Sequence, residues 1–254
     1  MINESKSIDI LGLKPVSDSI NKITTVSIDS AAAFLRLICR PAAEEFGLLL
    51  QDNVRSWRAL NLAKITKKGE KKLDQHNYND EDVHAHPRIV FGILDKGSWN
   101  DDDDIQDFWA GLLASSCTIE GNDDSNLIFI KLLSDLTKLQ ACILNYVCKT
   151  ATKLATSTLF IYARSLTLSL ETLIEITGET DIQRLDRELD HLREIGLIKG
   201  GFNALEPAIN AEIEPSALAL HMFVRCQGSR KSPIDYFGIQ IPSAQVNQTS
   251  DEAS

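Results

Sequence analysis

The residues that first invite a chemical reading are four consecutive aspartates, Asp101 to Asp104, set directly before the apolar run "IQDFWAGLLASS". Massed carboxylates suit a hard cation, but a calcium loop needs oxygen ligands at alternating positions, a glycine at the sixth and a bidentate glutamate at the twelfth. Counted from Asp101, the fifth, sixth and twelfth positions are Ile105, Gln106 and Leu112, so the loop fails at each of them. The spacing fits a helix start better. Ile105, Phe108, Trp109, Leu112 and Leu113 make one helical stripe. Asn100 or Asp101 is placed to cap the first-turn amides, and the other carboxylates lie near the positive end of the helix dipole. A weak magnesium or basic-partner contact is the alternative reading.

Three of the five histidines, His76, His84 and His86, fall in "DQHNYNDEDVHAHPRIV". His84 and His86, two apart, can share one side of an extended strand, and a third could complete a metal site. No cysteine or ordered carboxylate frame accompanies them, so an exposed histidine-bearing loop is expected and no metal is assigned. The five cysteines, Cys39, Cys117, Cys142, Cys148 and Cys226, are odd in number and lack a Cys-x-x-Cys pair. Set in apolar helical patterns, they read as buried free thiols in a reducing compartment. A Gly-rich phosphate loop, a His-Glu-x-x-His pair and a Gly-x-Ser-x-Gly elbow are all missing. A cysteine-base dyad stays possible and unsupported. The expectation is a non-enzymatic protein with no cofactor.

Those side chains must be positioned by something, and the composition says that it is a packed core. The chain has 254 residues with 43% hydrophobic content, enough for one large domain or two small ones. Its formal charge of −10 repels nucleic acid and anionic membrane, so any such contact needs a local basic patch. The opening "MINESKSIDILGLKPVSDS" is too polar for a secretory peptide. The run "AAAFLRLICRPAAEEFGLLL" is broken by Arg36, Arg40, Glu44 and Glu45, whereas a spanning helix needs about 20 nearly uncharged residues. No transmembrane segment and a cytoplasmic location are expected.

The fold expected is mainly α, with long N-terminal helices and a C-terminal winged-helix-like module carrying a small β-hairpin. Residues 17–75 read as a long-helix region, interrupted at Pro41, with a stripe of Phe46, Leu50, Val54 and Trp57 that must pack on something, a second copy of the chain included. Its end is basic: Lys64, Lys67, Lys68, Lys71 and Lys72 occupy somewhat under half of the helix circumference. A solvated face is the plain reading; an acidic partner, anionic lipid or nucleic acid are the sharper ones. Residues 76–99 read as a polar linker, 100–228 as a helical and winged-helix-like domain, and 229–254 as a polar, disordered tail.

Within 100–228, "LIFIKLLSDLTKLQACILNYV" spaces Leu136, Leu139, Ile143 and Val147 helically, with Ser134 as cap, and "ATKLATSTLFIYARSLTL" reads as further helix. A short helix closed by Gly178 follows. A second helix then starts at a Thr180-x-x-Gln183 capping box, buries Ile182, Leu185, Leu189 and Leu192, and stops at Gly196. "LIKGG" and "AINAEIE" read as strands, the second alternating at Ile209, Ala211 and Ile213. "PSALALHMFVRCQG" closes as a helix opened by Pro215. Helix, helix pair, strand, strand, helix is the order of a winged helix.

The second helix would enter a DNA groove. Its bases, Arg184, Arg187 and Arg193, are outnumbered by Asp181, Asp186, Glu188, Asp190 and Glu194, and the wing adds little beyond Lys199. A net negative helix opposes phosphate binding. Arg184, Arg187, His191 and Lys199 are therefore a candidate contact set for a nucleic acid or another partner, with DNA disfavoured.

Taken together, "PAAEEFGLLLQDNVRSWRALNLAKI", "DDDDIQDFWAGLLASS", "LSDLTKLQACILNYV" and "LDHLREIGLIK" resemble the abortive infection alpha family over about residues 10 to 228. The resemblance implies defence against bacteriophage, in which an infected bacterial cell stops growing or dies before phage mature. It carries over no catalytic residues. The expected function is thus a phage-defence protein that binds an unknown host or phage macromolecule. The alternatives are a winged-helix transcriptional regulator and a membrane-surface effector using Ala31–Leu50 with the lysine face.

Overall fold

The computed structural model describes residues 30–31, 33–39, 55–76, 83–203 and 209–241. It is mainly helical with small antiparallel sheets, and it packs as two compact units. The first takes the described residues of Met1–Ile143 with Met222–Arg230, the second those of Leu144–His221 with Lys231–Ser254.

In the first unit, helix α1 (Arg55–Gln75) packs along helix α3 (Asp103–Ser115). Small residues set the approach. An added Cβ at Gly69 would lie 3.3 Å from the Ala110 carbonyl oxygen, and one at Gly111 would fall 1.6 Å from that of Cys226. No side chain fits the second position, so the glycine of "WAGLL" is a packing requirement. All five residues of the expected α3 stripe, Ile105 to Leu113, are buried. The helix is capped one residue later than expected. Asp102 Oδ1 accepts the amides of Asp104 and Ile105, because Asp102 is the last residue with extended backbone.

The stretch expected as a polar linker carries helix α2 (Pro87–Gly97), which buries Ile89, Val90, Ile93 and Leu94. Pro87 sits at its first turn, where a missing N–H costs nothing. The polar residues ahead of it hid the apolar run that follows. The two-residue strands β1 (His84–Ala85) and β2 (Cys117–Thr118) pair antiparallel. Helix α4 (Leu127–Ser134) ends before helix α5 (Lys138–Thr150). Ser134 does not start α5. Thr137 Oγ1 accepts the Gln140 amide at 3.3 Å while Gln140 Oε1 accepts the Thr137 amide at 3.1 Å, a reciprocal capping box.

The second unit corrects a larger expectation. "ATKLATSTLFIYARSLTL" is extended, not helical: β3 (Lys153–Ala155) pairs with β4 (Ile161–Ala163), and β5 (Leu166–Ser169) enters a separate sheet. Ala155, Ile161, Ala163 and Leu168 are buried while Phe160, Tyr162 and Thr167 are exposed, a period of two in fragments too short to register against a helical template. Helices α6 (Leu170–Thr177) and α7 (Ile182–Glu194) follow, then β6 (Ile198–Phe202) and β7 (Asn210–Pro215), in sheet order β5-β7-β6. Gly178 closes α6 with φ 71°. The cap of α7 is Asp181, whose carboxylate accepts the Gln183 amide, and not Thr180. Glu179 occupies the Thr180 and Asp181 amides instead. Pro215 belongs to β7, and Ser216 caps helix α8 (Ala217–Cys226). A short helix, α9 (Pro233–Phe237), lies in what was expected as a disordered tail.

Candidate macromolecule-contact surfaces

The lysine row of α1 splits in two. Lys64, Lys67 and Lys71 are exposed. Lys68 donates to the Asp103 carboxylate and carbonyl, both at 2.8 Å, and Lys72 to the Asp107 carboxylate at 3.0 Å. The acidic head of α3 therefore neutralises the inward flank of the row. Of the four carboxylates that looked like a cation site, Asp103 is the partner of a lysine and Asp102 of backbone amides. Asp102 continues the pattern, meeting Lys138 at 2.8 Å. Burial raises its pKa, but the Lys138 hydrogen bond, the amides of Ile105 and Asp104 and the lysine charge together hold it below the ordinary carboxylate value.

Deeper in the same unit lies a polar network that the sequence reading missed. Arg58, only 4% exposed, donates to Ser98 Oγ at 3.0 Å and to the Asp95 carboxylate at 3.4 Å, and its guanidinium lies 4.3 Å from the centre of the Trp99 ring. Asn61 donates to the Ser98 carbonyl at 3.1 Å. Gln106 donates to Asn61 Oδ1 and to the Asn100 carbonyl, at 3.3 and 2.8 Å. Arg58 and Asn61 come from "VRSWRALNLAKI" and Gln106 from "DDDDIQDFWAGLLASS", so two segments that carry the family resemblance meet in one buried network. Polar residues inside an apolar helical stripe were the available signal. The network ties α1 to α3 and to the turn after α2, a structural job for groups that cost stability when unpaired.

The contact set on α7 and its hairpin is neutralised locally. Arg184 meets Glu179 at 2.8 Å and Glu188 at 4.0 Å, and Arg187 meets Glu188 at 3.7 Å. Arg193 meets Asp190 at 2.6 Å and also donates to the Gly200 carbonyl. Lys199 crosses the β6–β7 pair to Glu214 at 2.6 Å. Glu188 is 6% exposed and serves two arginines, a carboxylate buried against the helix that bears them. His191 lies half-buried on the same helix. Each of these four bases thus faces a carboxylate within 4.0 Å, which is not the free cationic face that phosphates require.

The histidines of the loop go to separate tasks. His76 Nε2 donates to the Gln227 carbonyl at 3.3 Å, His86 Nδ1 accepts the Arg88 amide as the cap of α2, and His84 sits in β1. Among the described residues no group of three or more His, Cys, Asp or Glu side chains is arranged to hold a metal. No disulfide joins the five cysteines, and burial pushes the Cys148 thiol up to about 12 and raises that of Cys142. Neither is tuned as a nucleophile. No helix among the described residues is long and apolar enough to cross a membrane. Of the stripe expected to seek a partner, Phe46, Leu50 and Val54 fall outside the described residues. Trp57 packs on Trp99 of the same chain, with ring centres 6.3 Å apart. Most of the Ala31–Leu50 run assigned to a membrane surface also falls outside them.

A family model described as abortive infection alpha matches residues 58–216 of the chain. No curated protein and no solved structure matches.

Proposed function

The chain belongs to the abortive infection alpha family, and from that premise we propose that it is a non-enzymatic phage-defence protein acting by binding a host or phage macromolecule. The observation that carries the binding mode is the local neutralisation of α7. The order β5, α6, α7, β6, β7 with sheet order β5-β7-β6 supports a winged-helix module. Its recognition-like helix spends Arg184, Arg187 and Arg193 on its own carboxylates, which favours a protein or structural role over DNA. The depressed charge demand of that face suits a partner read by shape and hydrogen bonds. Lys64, Lys67 and Lys71 form the exposed basic row left for an acidic partner.

The test is a phage challenge of a bacterial host expressing the protein, at low and at high phage-to-cell ratio. Culture survival at the low ratio with arrest or collapse at the high ratio is the expected result. Lysis like that of the empty host at both ratios would overturn the defence reading. Turnover of a nucleotide or cleavage of nucleic acid by the purified protein would overturn the non-enzymatic part. The regulator reading predicts DNA retardation at low salt that is lost in Arg184→Ala with Arg187→Ala; the expected result is no retardation in either protein.

A further inference from the structure

We propose that the β3–β4 hairpin is a membrane-surface element that inserts its tip at the headgroup boundary of an anionic bilayer. The tip is Leu159 and Phe160, 60% and 72% exposed, followed on β4 by Tyr162 at 43%. A period of two along β4 puts Phe160, Tyr162 and Arg164 on one face, while Ile161 and Ala163 point into the core. From tip to root that face reads apolar ring, amphipathic ring, cation. This is the order of acyl boundary, interface and phosphate layer. Four residues of strand from Phe160 to Arg164 span about 13 Å, so the guanidinium reaches phosphate level when the tip is about 5–10 Å deep.

Two further observations separate this tip from an incidental apolar surface. The first is the backbone. Thr156 closes the turn through Leu159 N–H to its carbonyl at 3.0 Å, Phe160 N–H to its Oγ1 at 3.0 Å, and its own N–H to the Phe160 carbonyl at 2.9 Å. The position after such a turn takes left-handed backbone and normally a glycine. Here it is Leu159, with φ 68°, the one non-glycine residue of positive φ among those described. A strained leucine facing solvent gains nothing for the fold, so its side chain answers to something outside it.

The second is charge. In a chain of net charge −10, no aspartate or glutamate occurs between Asp135 and Glu171, while Lys149, Lys153 and Arg164 lie about the hairpin root. Lys153 is partly used within the fold, donating to the Lys149 carbonyl at 2.7 Å and lying 4.7 Å from the centre of the Phe237 ring. Lys149 and Arg164 are exposed. An exposed apolar tip with cations behind it and no carboxylate in its own stretch of chain fits a lipid surface, which needs no matching groove, better than a shaped protein site.

The experiment is flotation of the purified full chain with vesicles of phosphatidylcholine alone and with added phosphatidylglycerol. The expected result is binding to the anionic vesicles, weaker binding to the neutral ones, and at least a tenfold loss in Leu159→Gly with Phe160→Ser. Leu159→Gly suits the left-handed backbone, so that variant keeps its fold, checked by circular dichroism. Arg164→Gln alone should flatten the salt dependence. No flotation of the unmodified protein, or flotation that the tip variant does not reduce, overturns the proposal. So does tip-dependent self-association in solution without vesicle binding, which would make the hairpin a protein contact. Because vesicle binding is read on the purified chain, its failure is separate from that of the defence reading.

Discussion

Helices α1 and α7 carry comparable rows of bases and dispose of them in opposite ways. On α7 the partners are local: Arg193 takes Asp190 three residues back, Arg184 takes Glu179 five back, and Glu188 lies within one turn of Arg184 and Arg187. On α1 the partners of Lys68 and Lys72 lie 35 residues away on α3. Local pairing uses up the bases of a helix that already carries more acid than base. Distant pairing fixes one helix against another and leaves the outward lysines free to act.

This contrast breaks most visibly at its buried end. Arg58→Ala should cost about 1.5–3 kcal/mol, since it removes a buried guanidinium that bonds Ser98 Oγ and the Asp95 carboxylate and lies against the Trp99 ring, joining α1 to α2 and the turn after it. Arg187→Ala should cost under about 0.5 kcal/mol, its side chain being 71% exposed. Urea unfolding of the two variants measures both, and similar losses would dissolve the distinction.

The helix start comes next. Asp102→Ala removes the α3 cap and should cost about 1 kcal/mol. The folded carboxyl of Asp102 titrates below its ordinary value of 3.8. The unfolded chain therefore takes up the proton first as pH falls. The contribution is complete above the ordinary value and disappears as pH drops through the folded one. Acid unfolding of Asp102→Ala should accordingly depend less on pH below about 4 than that of the unmodified protein.

Within the α1 row itself, a double-mutant cycle on Lys72 and Asp107 should return about 1 kcal/mol of coupling, and one on Lys68 and Asp103 about 0.3 kcal/mol. The Lys72 side chain is 12% exposed, whereas Asp103 is 85% exposed. Equal couplings would mean that burial does not grade these pairs. The smallest expected signal is chemical. With its thiol pushed up to about 12, Cys148 should remain unlabelled by a maleimide at neutral pH in the folded protein and react only on unfolding.

Where the sequence was legible, the signal was long and periodic. The α3 stripe, Leu185, Leu189 and Leu192 of the α7 stripe, the stop glycines Gly178 and Gly196, and Ala211 and Ile213 of the β7 alternation stand where spacing put them, whereas Ile182 is only half-buried and Ile209 lies just ahead of β7 and is 50% exposed. Caps were displaced by one to three residues because Ser, Thr, Asp and Asn compete for the same amides. Only the backbone of Asp102, Thr137 and Asp181 decides which of them wins. The hairpin was lost because strands of three residues carry too few alternations to outvote a helical reading.

By itself, then, the sequence determined the mainly helical class, the family, the apolar faces of α3 and α7, and the excess of acid over base on the latter. These are properties of composition and of periodicity along one element. Tertiary structure alone decided that Arg58, Asn61 and Gln106 meet, that the α3 aspartates answer α1 lysines, that Gly111 admits no side chain, and that Phe160, Tyr162 and Arg164 share an exposed face. Each depends on which residues distant in the chain, or adjacent across a strand pair, come within a few ångströms. Contact energies of that kind leave no period in the sequence to read.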